Sequence, residues 1–197
     1  MTSFTDEIAS AAARLVVEEG MEYGPAKRRA ARLLGRHATR SAALPGNDVV
    51  EDEVRGYIAL FCADTQPAEL AALRAVAMIW MERLEEFRPH LTRAVWRGTA
   101  TRLNIVHLEL YCDDSKATEI ALIDRRVGYD VASRVGPRGQ PIDVLLATHA
   151  SAELGENVTV HLSVLDHDDL RGALKPDAQG RTWRGDRAAL RKLMEAA

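Results

Sequence analysis

The sequence predicts an α+β protein, with a helical N-terminal domain followed by a small mixed-sheet α/β domain. Three observations carry this reading. Through the first 87 residues apolar side chains recur every three or four positions, the period of a helix with one buried face. Beyond Pro89 the pattern changes to runs in which apolar and polar residues alternate, the period of a strand. The composition fits both halves: 47% of the 197 residues are hydrophobic but only 5% are aromatic, so Ala, Leu and Val must fill the core. Small side chains of that kind suit closely packed helices.

In the first half, Thr5 is placed to cap a helix whose apolar stripe is Ile8, Ala11, Ala12, Leu15 and Val16, with Gly20 closing it. Gly24-Pro25 restarts the chain, proline being suited to a first helical turn. The second helix runs through Ala26, Ala30, Leu33 and Leu34 and stops at Gly35. Residues 41–47, with Pro45-Gly46, read as a loop. Asn47 opens a third helix along Val50, Val54, Tyr57, Ile58 and Phe61. Thr65 caps a fourth, with Pro67 in its first turn and Leu70, Leu73, Val76, Ala77, Trp80 and Leu84 along one stripe. Pro89 ends or kinks it.

In the second half, residues 94–98 are expected to form a short strand ending at Gly98-Thr99. Residues 105–112 (Ile-Val-His-Leu-Glu-Leu-Tyr-Cys) alternate as a strand with two different faces, and residues 116–127 return to helical spacing. Residues 141–148 and 158–165 are two further strands. Residues 175–185, rich in Gly, Arg and Asp, read as a surface excursion, and Asp186 caps a last helix through Met194. The expected domains are 1–87, helical; 88–173, α/β; and 174–197, a surface loop with the C-terminal helix.

A formal net charge of −3 provides no whole-protein attraction to nucleic acid or an anionic membrane. Cys62 and Cys112 each sit inside an apolar run, and two isolated thiols make no metal pattern. Buried, inert thiols in a reducing cytoplasm are expected. The opening residues lack a basic stretch followed by an apolar core, so no signal peptide is expected. No apolar run approaches the ~20 residues needed to span a bilayer, so no membrane partner is expected.

The residues with most chemical content are Gly98-Thr99, the triplet His107-Leu108-Glu109, and Asp143. Positions two apart on a strand share a face, so an acidic pair spaced that way converges on one spot. A third carboxylate from a neighbouring strand completes a cage for magnesium, which neutralises a triphosphate and activates an attacking hydroxyl. A glycine turn lets backbone amides approach a phosphate closely. This order of elements over residues 88–165 resembles the nucleotidyltransferase fold of the polymerase-beta type. The resemblance implies Glu109, Asp143 and the His107 position as the catalytic set, with Glu109 and Asp143 holding Mg²⁺. It also implies Gly98 and Thr99 as the phosphate cradle and Arg97 or Arg102 as the neutralising cation. His107 stands where the family has its first carboxylate, and imidazole is a poor ligand for a hard cation. The expected function is therefore that of a degenerate nucleotidyltransferase-fold protein binding a nucleotide or phosphorylated small molecule; if active, it is a Mg-dependent nucleotidyltransferase.

The whole chain is also similar to an uncharacterised family of bacterial proteins, through Ala-Ala-Arg-Leu-Val-Val-Glu-Glu-Gly (12–20), Leu-Phe-Cys-Ala-Asp-Thr-Gln-Pro-Ala-Glu-Leu (60–70) and Asp-Asp-Leu-Arg-Gly-Ala-Leu-Lys-Pro-Asp (168–177). Members sometimes carry a UDP-N-acetylmuramate–alanine ligase label. No Gly-x-x-x-x-Gly-Lys-[Ser/Thr] loop is present to support it.

Other patterns compete with this reading. Lys27, Arg28, Arg29, Arg32, Arg36 and Arg40, with His37, load a basic helix over 25–40 that can grip the phosphates of nucleic acid. A solvated, salt-bridged helix face is the simpler account, since Glu18, Glu19, Glu22 and Glu51–Glu53 lie nearby in sequence. Asp166-His167-Asp168-Asp169 reads as a turn or helix cap rather than a metal site. Asp113-Asp114-Ser115 reads as the cap of the following helix. His107 and His161 are able to meet across a sheet, although a shared zinc needs a further ligand. Trp96-Arg97 and Trp183-Arg184 offer rings and cations for a base. No Gly-x-Ser-x-Gly elbow is present. A third possibility is a non-catalytic protein-interaction module or homo-oligomer docking through the helical half.

Overall fold

In the computed structural model, which describes residues 3–35, 44–171, 175–177 and 180–196, the chain is α+β, with its helices mostly N-terminal and a six-stranded mixed sheet in the second half. It divides into two units, Met1–Glu69 with Thr99–Asn104, and Leu70–Gly98 with Ile105–Ala197.

The first unit is built on α1 (Phe4–Glu19), α2 (Tyr23–Leu33) and α3 (Asn47–Phe61). Ala9, Ala12, Ala13, Ala26, Ala30 and Ala31 are fully buried beside Ile8, Val16, Val50 and Val54, so alanine is what lets these helix backbones approach closely. The N-cap of α1 is Ser3 rather than Thr5. The Asp6 amide donates to Ser3 Oγ (3.2 Å) and the Ser3 amide donates to Asp6 Oδ2 (2.8 Å). Thr5 lacks such a reciprocal box because Ile8, three residues on, has no acceptor.

Gly20 closes α1 in the left-handed region at φ 66°, and a Cβ there would lie 2.8 Å from the Leu103 carbonyl oxygen. Residues 99–104 are secured by further bonds. Gln66 Nε2 donates to the Ala100 carbonyl (2.8 Å), and the Arg102 amide donates to Glu69 Oε2 (2.9 Å). Gly20→Ala should therefore cost about 1–3 kcal/mol, through strain at positive φ and the clash. Urea denaturation checks this, and a loss below about 0.5 kcal/mol would show that the turn relaxes freely.

The helix α4 (Gln66–Arg83) starts directly after Thr65, as the sequence suggests. In the second unit follow β1 (His90–Thr92), α5 (Arg93–Arg97), β2 (Val106–Tyr111), α6 (Ser115–Asp124), β3 (Tyr129–Val135), β4 (Pro141–Ser151), β5 (Glu156–Leu165), β6 (Arg184–Gly185) and α7 (Arg187–Glu195). The strand order is β3-β4-β5-β2-β1-β6, with β2 and β5 parallel and every other pair antiparallel.

Two expectations for this half need correcting. Residues 94–98 are not a strand: α5 occupies Arg93–Arg97, and Gly98 is its left-handed C-cap at φ 79°, its amide donating to the Ala94 carbonyl. A run this short carries too little periodicity to separate helix from strand, and a glycine terminates either. Residues 175–185 are not simply a surface excursion. Arg184-Gly185 form the edge strand β6, and Trp96 Nε1 donates to the Thr182 carbonyl (2.9 Å). Trp96 lies so close to Gly185 that a Cβ there would stand 2.1 Å from the ring. Asp186 does cap α7, accepting from the Ala189 amide (2.8 Å).

The sheet has two unlike faces, fixed by strand register. Leu91, Val106, Leu108, Leu110, Leu145, Val160 and Leu162 share one face and are all buried. Asp143 and Tyr129 belong to this face as well, by register with Leu145 and Ala147. Tyr129 donates to Glu119 Oε2 (3.1 Å), which places α6 against the apolar side. The opposite face carries His90, Thr92, His107, Glu109, Tyr111, His161, Ser163, Arg134 and Arg184. Ile142, Val144, Leu146 and Leu165 also lie on this second face, so its polar character is concentrated along β1, β2 and the middle of β5.

Candidate functional site

The structure does not bring the expected carboxylate pair together. Glu109 pairs with Ser163, and Ser163 with Val144, so Glu109 shares a face with Val144; Asp143, one residue earlier, points to the other face. No single ion can be held by both through the sheet. Asp143 instead lines a cleft with Cys112, Asp113 and Asp166 at the ends of β2 and β5.

The remaining members of the set are also placed elsewhere. Gly98 caps α5 in the second unit, whereas Thr99 and Arg102 belong to the first. Thr99 is buried, its hydroxyl 3.4 Å from that of Tyr23. The Arg97 side chain is only 3% exposed: Nη1 and Nη2 each lie 3.2 Å from Asp177 Oδ2, and Nη1 also donates to the Thr182 carbonyl (3.2 Å). Its guanidinium stacks on Trp183, 4.3 Å from the ring centroid. Arg97 is a structural clamp for Asp177, Thr182 and Trp183, not a surface cation.

What the polar face does assemble is a cluster centred on Glu109. Arg134 starts from β3, at the sheet edge, and crosses β4; its Nε donates to Ser163 Oγ on β5 (3.3 Å) and Nη2 lies 3.9 Å from Glu109 Oε1 on β2. Arg184 comes from β6, the other edge, and crosses β1; its Nη1 donates to Glu109 Oε2 and to Tyr111 Oη (2.9 Å). Tyr111 in turn donates to Glu109 Oε2 (2.8 Å). Burial first, then the neighbouring Glu109 charge, pushes the Tyr111 hydroxyl far above its usual range, so it stays a donor. Burial also lowers Arg134, and the nearby Arg93 charge adds to the effect. Arg93 stands in the left-handed region at φ 61°, unusual for a residue other than glycine. Arg134 and Arg184 thus share Glu109 as a common carboxylate, and both Arg93 and Arg184 act on Arg134.

His107 lies on this face, paired in register with His161; the rings meet edge to face at 4.9 Å. Among the described residues no group of three His, Cys, Asp or Glu side chains is arranged to hold a metal. The sequence pattern identified His107, Glu109 and His161, and singled out Arg184 only as a cation beside Trp183; it missed Arg134, Ser163 and Tyr111. Tyr111 and Ser163 were accessible from the period-two spacing of Glu109-x-Tyr111 and His161-x-Ser163. The two arginines were not, because their reach depends on strand order.

The competing patterns resolve locally. Asp166 caps a short 3₁₀ turn, His167–Leu170, accepting from the Asp168 amide (2.8 Å), and Asp169 pairs with Arg138 (2.8 Å). Asp114 caps α6 through the Lys116 amide (2.9 Å). In the basic segment, Lys27 donates to the Pro45 carbonyl (2.9 Å) and Asn47 Oδ1 (2.8 Å), and Arg29 pairs with Glu19. Arg28 and Arg32 are exposed, while Arg36, His37 and Arg40 lie outside the described residues. Both cysteines are free and half-buried, and burial pushes each thiol up, away from reactivity. Among the described residues no helix is long and apolar enough to cross a membrane. Compared with protein families, with curated proteins and with solved structures, the chain matches none.

Proposed function

We propose that the protein binds a nucleotide or another phosphorylated small molecule on the polar face of its sheet, without the two-metal transfer chemistry that a nucleotidyltransferase performs. One observation carries the reading: Arg134 and Arg184 reach from opposite sheet edges to the same central carboxylate. Guanidinium forks match phosphate oxygens in geometry as well as charge, and two of them converging from different strands form a clamp. Ser163 and Tyr111 supply hydroxyls beside that clamp. The metal-dependent alternative loses its support because Glu109 and Asp143 face opposite ways.

Thermal shift measurements with ATP, ADP and AMP, each with and without Mg²⁺, test the reading. A rise in Tm that does not require Mg²⁺ and disappears in Arg134→Ala is the expected result. An unchanged Tm at millimolar concentrations of all three nucleotides and of inorganic phosphate rejects it.

A further inference from the structure

We propose that Glu109 is the internal counter-ion of this anion site, its carboxylate occupying the point between Arg134 and Arg184 where a phosphoryl group docks. The inference rests on the phosphorylated-ligand reading and specifies how the site is regulated and which ligand chemistry it takes. Both oxygens of Glu109 are engaged, Oε1 facing Arg134 at 3.9 Å and Oε2 accepting from Arg184 and Tyr111. These donors are the ones a phosphate needs. A phosphoryl dianion cannot share them with an adjacent carboxylate without like-charge repulsion in a partly desolvated setting, the Glu109 side chain being only 13% exposed. Binding is therefore an exchange of one anion for another.

The two arginines are held unequally. Arg184 bonds to Glu109 directly, whereas Arg134 is anchored through Ser163 and stands off at 3.9 Å. The weak side of the clamp is the side on which an incoming anion gains most. The ligand class that follows is a terminal phosphoryl dianion, free of metal. A Mg²⁺-chelated triphosphate carries less charge to offer the arginines, and Glu109, engaged by Arg184, is not free to coordinate the ion. The shared group is the phosphate, whether from a nucleotide or a small phosphomonoester.

Isothermal titration of inorganic phosphate and of AMP, both in EDTA, into wild-type protein and Glu109→Gln tests the exchange. Glutamine keeps the volume and one acceptor for Arg184 and Tyr111 but removes the competing charge. The expected result is affinity higher by about tenfold for both ligands in the variant. A larger gain for AMP than for phosphate points to nucleotides as the source, and equal gains to phosphomonoesters in general; both support the exchange. Wild-type binding that is unchanged or weakened in Glu109→Gln overturns it while leaving the phosphorylated-ligand reading intact. Binding in neither protein overturns both. Should Glu109→Gln not fold, the ¹³C carboxyl resonance of Glu109 in wild-type protein provides the same test. It must move as phosphate saturates the site, and a resonance that stays fixed while phosphate binds elsewhere rejects the counter-ion role.

Discussion

Replacing Arg97 by alanine is expected to destabilise the protein by about 3 kcal/mol, because buried Asp177 loses its nearer guanidinium and keeps only Arg181. The Arg97 and Asp177 side chains are 3% and 11% exposed, so water cannot compensate for the loss. The same substitution removes the donor to the Thr182 carbonyl and the cation stacked on Trp183. Asp177, Thr182 and Trp183 then lose the side chain that ties them to α5. Urea denaturation measures the stability change, and limited proteolysis near Arg181 reports the local release. Arg97→Lys keeps the charge but not the fork or the stacking, and should recover less than half of the loss. A cost under about 1 kcal/mol for Arg97→Ala would mean that Arg181, 3.4 Å from Asp177 Oδ2, takes over the pairing.

Arg184→Ala should cost about 2–3 kcal/mol of stability and abolish phosphate-dependent stabilisation. Its stability effect arises because Glu109 loses its nearest cation while remaining largely buried. Arg134, already 3.9 Å away and committed to Ser163, compensates only in part. The binding effect arises because half of the clamp is gone. Tyr111→Phe separates these contributions: it removes one donor to Glu109 but leaves both guanidiniums. That variant should lose about 1 kcal/mol and still bind. If Tyr111→Phe abolishes binding while Arg184→Ala does not, the anion is recognised by the hydroxyl and the clamp assignment fails.

Much of the fold was legible because local patterns and tertiary packing agree. The alanine-rich stripe of α1, the glycine at its end, the alternation of β2 and β5 and the Asp186 cap each reappear in the structure at or near the expected residue. Disagreements fall where the local signal is short or weak. α5 has five residues, too few for a period. β3 reads Tyr-Asp-Val-Ala-Ser-Arg-Val and is an edge strand with exposed residues on both faces, so no apolar stripe marks it. Residues 99–104 fall outside the sheet unit before the chain rejoins it at Ile105, a crossing that no composition change announces.

The site divides along the same line. By itself the sequence determined that β2 has one polar face and that His107 and Glu109 share it, because side chains two apart on a strand must do so. It also determined that His161 can meet His107, since both stand on polar positions of alternating strands. Which third group joins them was decided only by tertiary structure. Asp143 and Val144 are neighbours in the chain but lie on opposite sides of the sheet, and a register shift of one residue would have exchanged them. The arginines that replace the expected carboxylate come from strands 50 positions apart, Arg134 and Arg184, and from opposite sheet edges. Nothing local to either residue specifies that meeting. It follows from strand order, which depends on how the whole second unit packs.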